Sequence, residues 1–105
     1  IFNLQMGKKQ KTIEEKCLTR DISGSGMMLL SNYKHSIKDI VECYFEINNK
    51  MIHIKGQIVR IDELKESTFK YALGIYFSNI KKKDREDIIK YIFEKERIMI
   101  EKGLI

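Results

Sequence analysis

The pattern that most constrains this chain is a change of hydrophobic period. Over residues 39–47 the apolar positions Ile40 (with Val41), Cys43, Phe45 and Ile47 alternate with Glu42, Tyr44 and Glu46. A period of two puts the two sets on opposite faces of a strand. After residue 84 the period becomes helical: Ile88, Ile89, Ile92, Phe93, Met99 and Ile100 recur at spacings of one, three, four and seven. A chain built this way has a β-structured body and one helix at its end.

The remaining strands follow from the same reading. Residues 1–6, 12–22 and 26–31 read as the first three strands, 39–47 as the fourth, 51–64 as the fifth and 69–77 as the sixth. Asn48-Asn49-Lys50 supplies residues that tolerate positive φ in a hairpin turn. In the fifth strand Ile52, Ile54, Gly56 and Ile58 share one parity, while Val59 and Ile61 share the other. A parity switch beside a glycine predicts a bulge or bend. Short antiparallel strands with short turns predict a mainly β fold: a six-stranded antiparallel barrel with one C-terminal α-helix. Asp84 is the expected N-cap, Glu86 and Asp87 complement the helix dipole, Glu94 and Arg97 can pair at i,i+3, and Gly103 is the expected stop. The apolar stripe is read as core packing, with the helix capping one mouth of the barrel.

At 105 residues the chain is read as one domain, residues 1–105, with a modest core. No apolar run reaches the roughly 18–20 residues that span a bilayer, so no membrane insertion is expected. No signal peptide is recognisable, and the first residue is not Met, so the chain is read as part of something longer. Cys17 and Cys43 sit in apolar strand contexts and read as buried reduced thiols of a cytoplasmic protein. His35 and His53 have no partner at zinc-ligand spacing. Net charge is +5, which favours an anionic partner without naming it. The basic groups Lys8, Lys9, Lys11 and Lys81, Lys82, Lys83 read individually as solvated turns.

The chemistry concentrates between the second and third strands, in Asp21-Ile22-Ser23-Gly24-Ser25-Gly26. A carboxylate, a hydroxyl two residues on and two glycines can meet one ligand, the glycines letting backbone N–H groups approach it. By itself the segment reads first as a tight turn whose side chains bond their own backbone. Arg20 and Arg60 are the arginines best placed to join it from the strands. No carboxylate pair, activated nucleophile or phosphate loop of the Walker type stands out, so no enzyme and no cofactor are expected.

In this order the chain resembles a PilZ domain. Asp21, Ser23 and Gly26 match the family's Asp/Asn-x-Ser-x-x-Gly motif, and Gly56, Val59, Arg60, Gly74 and Phe77 match its second stretch. Residues 85–97 are similar to the helix of the flagellar-brake (YcgR-like) subgroup. The resemblance covers roughly residues 13–103. It implies a non-enzymatic sensor of cyclic di-GMP that couples binding to flagellar motility, with ligand contacts at Asp21, Ser23, Gly24, Ser25, Gly26, Arg20 and Arg60. It also implies a cytoplasmic protein recruited to the flagellar basal body, with a motor protein or another target as partner. Family members that bind the nucleotide carry Arg-x-x-x-Arg just before the first strand, and this chain has no arginine before Arg20. That pair, with an N-terminal domain, is expected upstream of Ile1. Two other readings compete: a PilZ-like adaptor that binds protein and no nucleotide, and a small basic barrel that binds RNA or single-stranded DNA. The last would need aromatics such as Tyr33, Tyr44, Tyr71 and Tyr76 to share a face with basic groups.

Overall fold

The computed structural model describes residues 5–8, 11–14 and 17–103. A first hairpin pairs β1 (Gln5–Lys8) with β2 (Lys11–Glu14). The body is a five-stranded antiparallel sheet of β3 (Leu18–Ile22), β4 (Gly26–Ser31), β5 (Ile40–Ile47), β6 (Lys50–Glu63) and β7 (Tyr71–Asn79). Its spatial order is β3-β4-β7-β6-β5, so the β4–β5 connection carries the chain to the far edge. Helix α1 (Lys82–Glu101) follows directly.

Alternation decides which face is buried. Met27 and Leu29 of β4, Val41, Cys43, Phe45 and Ile47 of β5, and Ile52, Ile54 and Ile58 of β6 are almost inaccessible. Leu73, Ile75 and Phe77 of β7 join them, with Ile88 from α1. Each large side chain so buried contributes about 1.5–3 kcal/mol of transfer free energy. Burial also pushes the Cys43 thiol up to about 12, so it is a protonated core side chain.

The β5–β6 turn is the two-residue hairpin that its sequence predicts. Asn48 and Asn49 have φ of 50° and 64°, with Ile47 paired to Lys50. The parity switch in β6 is real and coincides with two register shifts against β7. One lies between Lys55 and Gly56, the other between Ile58 and Arg60, which leaves Val59 unpaired and exposed.

Three expectations are corrected, and a fourth falls mostly outside the described residues. The second strand, read as residues 12–22, is two strands in separate sheets, β2 and β3. Cys17 and Leu18 are adjacent apolar residues, so no single parity runs through that stretch. The first strand, read as 1–6, lies mostly outside the described residues. The six-stranded closed barrel is a curled five-stranded sheet plus a hairpin; among the described residues β3 and β5 remain its two edges, with β1 lying along β5. The sixth strand begins at Tyr71, because Leu64 N–H donates to Lys70 O and holds Phe69 in the preceding loop.

The helix departs from expectation at its start and along its face. It begins at Lys82 with Lys81 as an extended N-cap that makes no side-chain capping bond, and Asp84 is the acidic residue of the first turn. Gly103 ends it, with φ of 70° and its N–H on Ile100 O. Of the apolar stripe only Ile88 is fully buried, with Ile92 and Tyr91 packed partly on the core. Ile89, Phe93, Met99 and Ile100 are exposed. Polar ties hold the helix to the β5–β6 hairpin: Lys50 Nζ lies 2.6 Å from Asp87, and Asn48 donates to Glu94 at 3.2 Å. Glu94 is thus engaged with Asn48, where pairing with Arg97 was expected.

Candidate functional site

The turn between β3 and β4 is built by Ser23. Its N–H donates to Gly26 O at 2.8 Å, its Oγ donates to the same carbonyl at 3.2 Å, and that Oγ accepts from Ser25 N–H at 3.3 Å. Ser23 and Ser25 Oγ are 3.3 Å apart. The hydroxyl expected to face a ligand is therefore first a shaper of the turn. Ser25 O accepts from Phe77 N–H at 2.9 Å, which anchors the turn to β7.

The two glycines serve close approach, since neither has a positive φ. A Cβ on Gly26 would stand 2.2 Å from Ile75 O, so β4 can meet β7 only through a residue with no side chain. A Cβ on Gly24 would stand 3.3 Å from Ile89 Cδ1 and 3.4 Å from Arg85 Cγ. Arg85 Nε donates to Gly24 O at 3.2 Å, binding the turn to the first part of α1.

A bulge presents the charged residues. Thr19 pairs with Leu29 and Asp21 with Met28, so Arg20 is the extra residue of β3 and both Arg20 and Asp21 face outward. The Asp21 carboxylate makes no hydrogen bond or ion pair among the described residues. The ladders then continue from Met28 to Gly74 and from Gly74 to Arg60. Asp21, Met28, Gly74 and Arg60 thus form one row across the sheet, its ends three strand spacings, or about 14 Å, apart. Arg60 Nε is paired with Asp62 at 2.8 Å, with the arginine side chain 68% exposed. An exposed pair of this kind is worth little, so the guanidinium can be redirected at small cost.

The structure therefore brings Asp21, Arg20 and the turn of residues 23–26 together, and places Arg60 on the same face at the end of the row. Sequence reasoning missed Arg85, Met28 and Gly74 as parts of this surface. Gly74 had a signal, as a glycine interrupting an alternating strand; Arg85 had none. The aromatic set needed for single-stranded nucleic acid is dispersed. Tyr44 stacks on His53 at 4.2 Å, while Tyr71 and Tyr76 project from opposite faces of β7.

A family model for the PilZ domain matches residues 2–94. The chain belongs to the PilZ family. Searches of curated proteins and of solved structures gave no match. PilZ domains are cyclic di-GMP-binding modules, which fits a solvent-facing acidic and basic row beside an anchored motif turn. Among the described residues of this PilZ domain, no helix is long and apolar enough to cross a membrane.

Proposed function

We propose that this PilZ domain is a non-enzymatic sensor that binds cyclic di-GMP against the outward row of Asp21, Met28, Gly74 and Arg60 and the adjoining turn. The observation that carries the reading is the bulge at Arg20, which turns a base and an acid unpaired among the described residues outward next to the family's motif. Guanine presents N1–H and N2–H donors on one edge, which an ionised carboxylate such as Asp21 accepts. It presents O6 and N7 on another edge, and phosphate oxygens beside it, which suit Arg20 and Arg60. Ser23 holds the turn in shape, while the hydroxyl of Ser25 and the backbone of Gly24 and Gly26 border the ligand. An upstream arginine pair closing over the nucleotide completes the site, a disorder-to-order step that moves a neighbouring domain and adjusts flagellar motility. Closure of the barrel through β1 along β5 belongs to the same reading.

Calorimetric titration of cyclic di-GMP tests it, using this chain and the polypeptide carrying its natural upstream residues. The longer form binds, and Asp21→Ala in it weakens binding at least about tenfold, the loss of one charge-assisted hydrogen bond. No binding by either form leaves the adaptor reading in its place.

A further inference from the structure

The face of α1 that the core does not use has a charge order of its own. Glu86, Ile89, Lys90, Phe93, Glu94 and Arg97 line one shallow groove along it. Ile88, one position away, is wholly buried, whereas Ile89 is 38% exposed, Phe93 65% and Ile100 63%. Phe93 is thus a large aromatic on a continuous helical face with no cover among the described residues. Along this face the charges run negative, positive, negative, positive. They sum to zero, so a strongly acidic or strongly basic partner gains nothing from them.

From this order we infer that α1 is a self-association surface, with a second copy of this chain packed antiparallel across Ile89 and Phe93. Glu86 and Arg97 are eleven residues apart, about 16 Å and close to three turns, and so share one face. A two-fold axis midway between them sets Glu86 opposite Arg97 of the second copy, and the reverse. It also sets Lys90 opposite Glu94 of the second copy to within one residue. A parallel pair would set like charges against each other, so the order selects the antiparallel arrangement. Phe93 then lies over the Ile89–Lys90 stretch of the other helix, near the axis, where buried aromatics contribute most. Glu94 is held by Asn48, whereas Glu86 and Arg97 have no ion pair among the described residues and are the pair to test. The surface is one helix wide, so the dimer is weak and reversible. The inference is independent of nucleotide binding.

Sedimentation velocity of the whole chain from about 5 to 500 µM, a range spanning weak association, reads the outcome. Wild type shifts from monomer to dimer with concentration. Phe93→Ser stays monomeric, with its circular dichroism spectrum unchanged. Glu86→Arg and Arg97→Glu each weaken association about tenfold alone, and an equimolar mixture of the two restores it, because only the mixed pair sets opposite charges face to face. A wild type that remains monomeric throughout overturns the inference. So do reversals that associate like wild type, or a mixture that does not recover.

Discussion

Asp21 and Arg60 stand at the two ends of one transverse row, separated by Met28 and Gly74 on the intervening strands. They are 39 positions apart in sequence, and only the ladder order β3-β4-β7-β6 aligns them. Gly74 sits beneath Arg60: a Cβ there would lie 3.1 Å from Arg60 Cβ. Gly74→Val therefore forces the Arg60 side chain aside. Cyclic di-GMP affinity, measured by calorimetry, falls at least about tenfold while cooperative unfolding is retained.

Gly26→Ala tests the turn's anchorage. The added carbon meets a main-chain oxygen at 2.2 Å, and neither strand can yield without breaking its ladder. A loss of about 2–3 kcal/mol in urea unfolding is expected. Gly24→Ala meets only side-chain carbons of Ile89 and Arg85, at 3.3–3.4 Å, and costs far less.

Thr19 Oγ1, immediately before the bulge, is buried with no hydrogen-bond partner among the described residues. A hydroxyl shut away from water in this manner costs about 1–3 kcal/mol. Thr19→Val keeps the shape and removes the group, so its melting temperature rises above wild type by a few degrees, as a gain of about 1 kcal/mol predicts.

The helix tether responds to acid. The hydrogen bond from Lys50, and then that from Lys83, hold the Asp87 carboxyl below its ordinary value against an opposing burial effect. A carboxyl whose folded pKa is lowered stabilises fully above its unfolded value of about 4, and that contribution disappears as pH falls through the folded value. Thermal unfolding from pH 7 down to 2.5 therefore shows wild type and Asp87→Asn converging at the acid end. A gap between them that persists to the lowest pH would deny the tether its charge.

Much of the fold was legible because burial on one side leaves a strong trace. β4, β5 and β6 follow their alternation, Asn48 and Asn49 make the predicted turn, and Gly103 stops the helix. The break between β2 and β3 left only the adjacency of Cys17 and Leu18 as a sign. The helical stripe misled, because periodicity identifies an apolar face but not whether anything covers it. Of the candidate site, Asp21 and the turn stand in six consecutive residues. Arg85 was not, since its partner Gly24 lies 61 residues earlier and no local pattern records such a bond.

That bond has a mechanical meaning. The motif turn and the helix are fastened at Arg85, with Ile89 wedged against Gly24 beneath it. Moving the turn off the helix breaks this bond, at a cost of about 0.5–1.5 kcal/mol. A clasp of that strength sets where the turn sits on the helix, while leaving each free to meet its own partner.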